Sequence, residues 1–308
     1  MTSSPAILAL DAGGTFFKSA LVLPSGEILP GSLRSTPANS HGTAGEIIAA
    51  YVDIFKNAAA VAAAAGLHIS AAGISTPGPF DYENCTSLMR HKFPAIHGVN
   101  LRDALAAAVP EIRGVPLRFL SDAHAFLLGE QRAGAARGHE NVCAVTIGTG
   151  LGFGVMQNGK IRDNGAGGPF IVLFKKPCRD GIIEDCVSRR GILRLFREKL
   201  AGTGRFDKPD VADIAALARR PETAAGAGAA RAAFAEAGAL LGETLRPVLA
   251  DLAPEILVIG GQISKSFDLL AAPLRAAIGA GNNKPETTAA QNPDTAALLG
   301  SAFAAATL

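Results

Sequence analysis

Asp11-Ala12-Gly13-Gly14-Thr15-Phe16-Phe17-Lys18 decides how the rest of the chain is read. An apolar run, 6–10, precedes it and a second, 19–23, follows, before the turn Pro24-Ser25-Gly26-Glu27. The stretch predicts strand, glycine turn, strand, turn, strand. Two adjacent glycines lack the Cβ atoms that keep a bulky anion off the backbone. Their N–H groups and the Thr15 hydroxyl can line a phosphate-sized concavity. Asp11, at the strand end, suits a hydrated Mg²⁺, which keeps most of its waters and takes one or two carboxylates. A plain hairpin with a capping Asp fits this stretch, taken by itself, equally well.

The same pattern returns later. A strand over 142–147 leads into Gly148-Thr149-Gly150-Leu151-Gly152-Phe153-Gly154, with the turn predicted to span 148–154. Val155-Met156 and the turn Gln157-Asn158-Gly159-Lys160 follow. Two such units suggest duplicated α/β domains facing each other. Between them, Thr43-Ala44-Gly45-Glu46 is a capping box for a helix whose apolar positions are Ile47, Tyr51, Ile54, Phe55 and Ala58. A strand over 69–75 ends in Thr76-Pro77-Gly78-Pro79, and 81–100 reads as loop and short hairpin. A strand over 117–120 runs into Ser121-Asp122 and a helix over 123–134. Asp122 therefore stands where α/β sheets bind ligands, although capping the helix is an equally ordinary task for it. Further on, helices are predicted over 183–200, 210–219, 231–252 (with Pro247 inside) and 294–308, and a buried strand over 256–259 turns out through Gly260-Gly261.

Composition narrows the class. The chain has 308 residues, 48% hydrophobic and 18% charged, which suits one large or two ordinary well-buried domains. A net charge of +2 with no Lys/Arg run gives no argument for nucleic acid. The four cysteines, Cys85, Cys143, Cys178 and Cys186, are too sparse for a disulfide scaffold and favour a reducing cytoplasm. Met1-Thr2-Ser3-Ser4-Pro5 lacks a positive leader region, so no signal peptide is expected. The alanine-rich window 58–65 is too short to span a bilayer.

Taken in order, Asp11-Ala12-Gly13-Gly14-Thr15 with Lys18, Gly73-Ile74-Ser75-Thr76-Pro77-Gly78-Pro79, Asp122-Ala123 with Gly129-Glu130, the 148–154 turn and Leu257-Val258-Ile259-Gly260-Gly261 resemble the sugar kinase/Hsp70/actin superfamily. Within it they look like the ROK family of repressors and sugar kinases, over nearly the whole chain. The resemblance implies two actin-like (ribonuclease H-like) α/β domains around a central cleft. The expected division is 1–120 plus about 295–308 for the first and 121–294 for the second.

The resemblance further implies an ATP-dependent carbohydrate kinase that transfers the γ-phosphate to a sugar hydroxyl, with Asp122 as general base. It places the nucleotide against Asp11, Gly13, Gly14, Thr15, Lys18, Gly148, Thr149, Gly150, Gly152, Gly260 and Gly261. It places the sugar against Gly78, Asn100, Ser121, Asp122 and Glu184, with His91, Lys92 and His97 in the bordering loop. Asp11 would hold Mg²⁺ through water. The partner is then a small-molecule sugar, with neither nucleic acid nor membrane, and a homodimer is the implied assembly. Because the glycine turn begins at residue 11, a repressor with a preceding DNA-binding domain is not expected.

The chain also departs from the family. Ser121 and His124 stand where relatives carry Asn on either side of the catalytic Asp. Gly168-Pro169-Phe170-Ile171-Val172-Leu173 stands where relatives carry a Glu-Xaa-Gly-His segment that binds sugar and zinc. Only Cys178 and Cys186 remain of the family's cysteine-rich zinc loop, so ATP and Mg²⁺ are expected but zinc is not. Glu184 matches a family sugar contact and also sits where a helix's first turn favours an acid. These losses leave a second reading open, a non-catalytic or regulatory sugar- or nucleotide-binding relative.

Overall fold

Each glycine turn lies at the heart of its own sheet. The computed structural model describes residues 3–200, 209–279 and 284–307. Met1, Thr2 and Leu308, on which the leader reading and the end of the last helix partly rest, lie outside the described residues. The chain forms two compact units: residues 1–134, 161–170 and 295–308, and residues 135–160 and 171–294.

The first unit contains β1 (Ser4–Ala12), β2 (Phe16–Val22), β3 (Arg34–Pro37), α1 (Ala44–Ala64), β4 (Leu67–Thr76), β5 (Phe80–Asp81), β6 (Thr86–Ser87), α2 (Leu101–Ala108), β7 (Leu117–Ser121) and α3 (Asp122–Ala133). Its sheet runs β3-β2-β1-β4-β7. β2 is antiparallel to both neighbours, while β1, β4 and β7 are parallel. The strand predicted directly after Gly26 is only a single bridge, Val22 to Ile28; the third strand starts at Arg34. The capping box holds: Thr43 Oγ1 accepts from Glu46 N at 3.3 Å, and Glu46 Oε2 accepts from Thr43 N at 2.7 Å. This satisfies donors that the helix start otherwise leaves unpaired. α1 is, among the described residues, the helix long and apolar enough to cross a membrane. It buries Ile47, Tyr51, Ile54, Phe55 and Ala58 in the core of its own unit, at the spacing the sequence predicts.

The second unit contains β8 (Val142–Ile147), β9 (Leu151–Gln157), β10 (Lys160–Arg162, which runs on into the first unit's short segment), β11 (Pro177–Cys178), β12 (Gly181–Ile182), α4 (Ile183–Val187), α5 (Arg189–Lys199), α6 (Val211–Ala218), α7 (Ala227–Leu252), β13 (Ile256–Gly260), α8 (Phe267–Ile278) and β14 (Glu286–Ala289). The sheet order β10-β9-β8-β13-β14 copies the first unit, with β9 antiparallel to β8 and with β8, β13 and β14 parallel. The 183–200 helix is two helices broken at Ser188, whose backbone is extended (φ −71, ψ 179).

α9 (Ala296–Ala305) returns to the first unit and packs on α3. The contact is made by small residues. A side chain at Gly300 would meet the Ala125 carbonyl, and one at Gly129 the Ala296 carbonyl. Gly73 of β4 is pressed in the same way against Ser301. These glycines set helix–helix and helix–sheet distances, which explains why the sequence carries them outside any turn.

Candidate active site

In the first unit, register brings the candidate residues to one end of the sheet. Asp11 pairs with Lys18 across β2 and with Ser75 across β4, and Thr76 pairs with Ser121 across β7. The carboxyl ends of three parallel strands thus present Asp11, Ser75 and Ser121 in neighbouring rungs, and α3 begins immediately with Asp122. That edge is where α/β sheets bind ligands.

Asp11 is the buried charge of this group. Its Oδ1 accepts from the Ser75 hydroxyl at 2.6 Å. Burial pushes its pKa up, and the nearby Asp122 carboxylate adds to the rise; the Ser75 bond and Lys18 oppose it. Two facing acids with one short hydrogen bond leave the site wanting positive charge, so the residues fit a divalent cation. Asp122 Oδ1 accepts from Ala123 N at 2.8 Å, with the Ser121 hydroxyl 3.4 Å away. That bond serves one amide of the first turn from within the helix, whereas Ser121, at the N-cap, makes no side-chain capping bond.

Gly13 and Gly14 close the β1–β2 turn. A Cβ on Gly13 would come within 2.7 Å of the Phe16 carbonyl, so only glycine allows a turn this tight. Thr15 accepts through its backbone carbonyl from Ala38 N at 3.0 Å, which fixes the turn's base.

Tyr82 and His124 lie near Asp122, and Asp163 lies near His124; of these the sequence singled out His124 alone. Tyr82 is buried, donates its hydroxyl to the Thr76 carbonyl at 3.1 Å and lies beside Ser121 and Asp122; burial pushes its pKa far up. Gly78 packs on the Tyr82 hydroxyl, 3.6 Å from where a Cβ would stand. Asp163 faces His124, which is 3% exposed with its Nε2 lacking any hydrogen-bond partner. Burial lowers the His124 pKa despite the two acids, Asp163 and Asp122, so the ring is neutral at pH 7. Asn100 has structural work: Oδ1 caps α2 at Asp103 N (3.1 Å), and Nδ2 donates to the Asn84 carbonyl (2.9 Å). The signal for Ser75 and Tyr82 was a strand register and a loop path, neither of which spacing alone gives.

In the second unit the turn is shorter than the predicted 148–154. β9 starts at Leu151, so Gly152 is a strand residue paired with Thr146; the glycines at 152 and 154 continue the ladder. Gly148 and Gly150 form the turn, with Gly148 N donating to the Gly150 carbonyl at 2.9 Å and open space where a Gly148 Cβ would stand. α4 and α5 brace it. Glu184 Oε2 accepts from Leu151 N at 2.9 Å, and Arg189 N donates to the Gly148 carbonyl at 2.8 Å. Arg190 pairs with Glu184 at 2.9 Å and with Asp185 at 2.6 Å. Gly260 ends β13 rather than starting the turn. Gly261 is at φ +77, and a Cβ there would come within 2.7 Å of the Ile147 backbone N, so only a glycine fits.

Cys178 and Cys186 are buried free thiols; the Cys186 Sγ lies 3.8 Å from the Cys178 carbonyl, and burial pushes Cys178 up to about 12. Among the described residues no group of three or more His, Cys, Asp or Glu converges.

Two sheets of the same order, each opening on a glycine turn, define the actin-like α/β class. A model of the ROK family matches residues 7–307, and the chain belongs to that family. It is 31% identical over 291 residues to a glucokinase of Thermotoga maritima, covering 87% of this chain and 86% of the relative. It is 31% identical over 312 residues to the bifunctional enzyme NanE/NanK of Brucella suis, covering 99% of this chain but 54% of that protein. The crystal structure of a ROK family glucokinase from Streptomyces griseus in complex with glucose and AMPPNP matches with a TM-score of 0.77 at 26% identity, over 98% of this chain and 100% of the other.

Proposed function

We propose that this protein is an ATP-dependent carbohydrate kinase in which Asp122 is the general base. The observation that carries the reading is the convergence of Asp11 and Asp122 at the carboxyl ends of β1 and β7, next to the Gly13-Gly14 turn. Family membership and the kinase names of its relatives support it.

The reaction asks little covalent chemistry of the protein; positioning and charge neutralisation carry it. The backbone N–H groups of the two glycine turns hold the terminal phosphates, and Gly260-Gly261 approaches the adenosine. Asp11 would hold Mg²⁺ through water, and the bound ion would supply neutralisation of phosphate charge. Asp122 takes the proton of the acceptor hydroxyl as the new O–P bond forms. The bond between the γ-phosphorus and the β,γ-bridging oxygen breaks, and ADP leaves with that electron pair. The Ala123 N–H bond to Oδ1 fixes the carboxylate at the start of α3, at the carboxyl end of β7. No structural zinc is expected, since Cys178 and Cys186, eight positions apart with no nearby His, fall short of the four N/S ligands such a site takes. One zinc per chain by elemental analysis would overturn that.

Replacement of the family's Glu-Xaa-Gly-His segment by Gly168-Pro169-Phe170-Ile171 points to an acceptor bearing an apolar substituent, such as a glycoside. An assay of ADP release over hexoses, amino sugars, N-acylated sugars and alkyl or aryl glycosides tests both points. Turnover is expected, with glycosides ahead of free hexoses. Sugar binding without ADP release from any acceptor would instead favour the regulatory reading.

A further inference from the structure

Lys92 belongs to the irregular 81–100 segment, but the fold lays it on the first glycine turn. Its Cδ and Cε stand 3.8 and 4.0 Å from the position a Cβ of Gly14 would occupy. The ammonium is one bond beyond Cε, which puts it within reach of the Gly13-Gly14 turn. Its backbone is held firmly. The next residue, Phe93, is fully buried, adopts a left-handed conformation (φ 48) and packs on Phe17 with ring centroids 5.7 Å apart. Phe17 pairs with Ala12 at the start of the turn and packs on Tyr51 at 4.5 Å. Burial of these rings fixes the path of the chain at Lys92. Among the described residues no carboxylate forms an ion pair with Lys92. Asp11, Asp122 and Lys18 belong to the same unit, so Lys92 adds a second cation to a site with two acids.

We propose that Lys92 is a phosphate-neutralising residue of the first glycine turn, contacting the terminal phosphate of a nucleoside triphosphate. This rests on the reading that the turn holds those phosphates. Charge spreads over the equatorial oxygens of the transferring phosphoryl group, and a preplaced ammonium stabilises it there more than in the bound ground state. Lys rather than Arg suits a point contact on a crowded backbone turn.

The test compares wild type with Lys92→Met and Lys92→Arg, by turnover and by calorimetric binding of ATP, ADP and AMP. Lys92→Met keeps the aliphatic stem over Gly14, so folding is preserved and only the charge is lost. It is expected to lower kcat by about 100-fold, the scale of one lost transition-state donor. ATP binding should weaken about tenfold while AMP binding stays as in wild type, and Lys92→Arg should recover most of the turnover. Equal kcat and equal ATP affinity in wild type and Lys92→Met overturn the proposal. So does an effect confined to the KM of the sugar, which would put Lys92 on the acceptor. Failure of wild type itself to bind ATP would remove the reading of the turn, and the proposal with it.

Discussion

The two glycine turns close the same hairpin in two sheets of identical order, yet they are built differently. The rung before the first turn pairs Asp11 with Lys18; the corresponding rung before the second pairs Thr146 with Gly152. The first turn thus carries its charge in its own strands, with Ser75 and Asp122 adding to it from parallel neighbours. The second carries none in its strands and is instead braced from outside, by Glu184 on Leu151 N and by Arg189 N on the Gly148 carbonyl. On the function proposed, the duplicated frame divides the labour, with chemistry at one turn and positioning at the other.

That division is open to breaking from either side. Asp11→Asn should lower kcat/KM for MgATP by about 10²–10³, the cost of one electrostatic partner in a phosphoryl-transfer site. It should also raise the Tm of the ligand-free protein by about 2 °C, because a buried carboxylate with a raised pKa disfavours the folded state above its unfolded pKa. Steady-state kinetics and thermal unfolding at pH 7 check both. Loss of activity with a lowered Tm would make Asp11 structural.

Glu184→Ala should raise the KM for ATP about tenfold with a smaller change in kcat, since it frees the Leu151 amide and loosens the turn. Glu184→Gln, which keeps an acceptor oxygen, should restore most of it. A change in sugar KM with ATP KM intact would assign Glu184 to the acceptor and take away the bracing role.

Ser75→Ala acts on the same contrast through proton affinity. The Ser75 hydroxyl lowers the pKa of Asp11, so its loss raises it further. The ionised form is the one that serves a cation, and the acid limb of the pH–rate profile should move to higher pH. An unmoved limb would mean that another group controls it.

The smallest effect is expected at His124. Its buried Nε2 has no partner, and replacing an unpaired polar atom by an apolar group of similar size removes a cost of about 1 kcal/mol. His124→Leu should therefore raise the Tm slightly in chemical or thermal unfolding. A clear loss of stability would show that the ring is satisfied within the fold.

Much of this was legible in the sequence because local chemistry wrote it there. The Thr43/Glu46 box, the apolar spacing of Ile47, Tyr51, Ile54 and Phe55, and Asp122 between a strand and a helix all depend on neighbours within a few residues. The second turn was read too long because Gly152 and Gly154 look like loop residues, whereas pairing with Thr146 and Ala144 keeps them in β9. The 183–200 helix was read as one because an extended Ser188 leaves no trace in hydrophobic spacing. α8 and β14 carried too weak a pattern to stand out. Tyr82 was invisible as a site neighbour, and the partners of Ser75 and Lys92, Asp11 and the Gly14 turn, could not be read, since each is reached through strand register or loop path. The family resemblance stands confirmed, whereas the individual roles given to the site residues rest on the experiments above.

The most direct test of the account is the turnover of Asp122→Asn measured beside its ATP affinity. A carboxylate that accepts the hydroxyl proton contributes about 10²–10⁴ to the rate, and the amide cannot replace it. The account predicts a kcat at least a hundredfold below wild type with ATP bound as tightly as before. Equal kcat in the two proteins would contradict it.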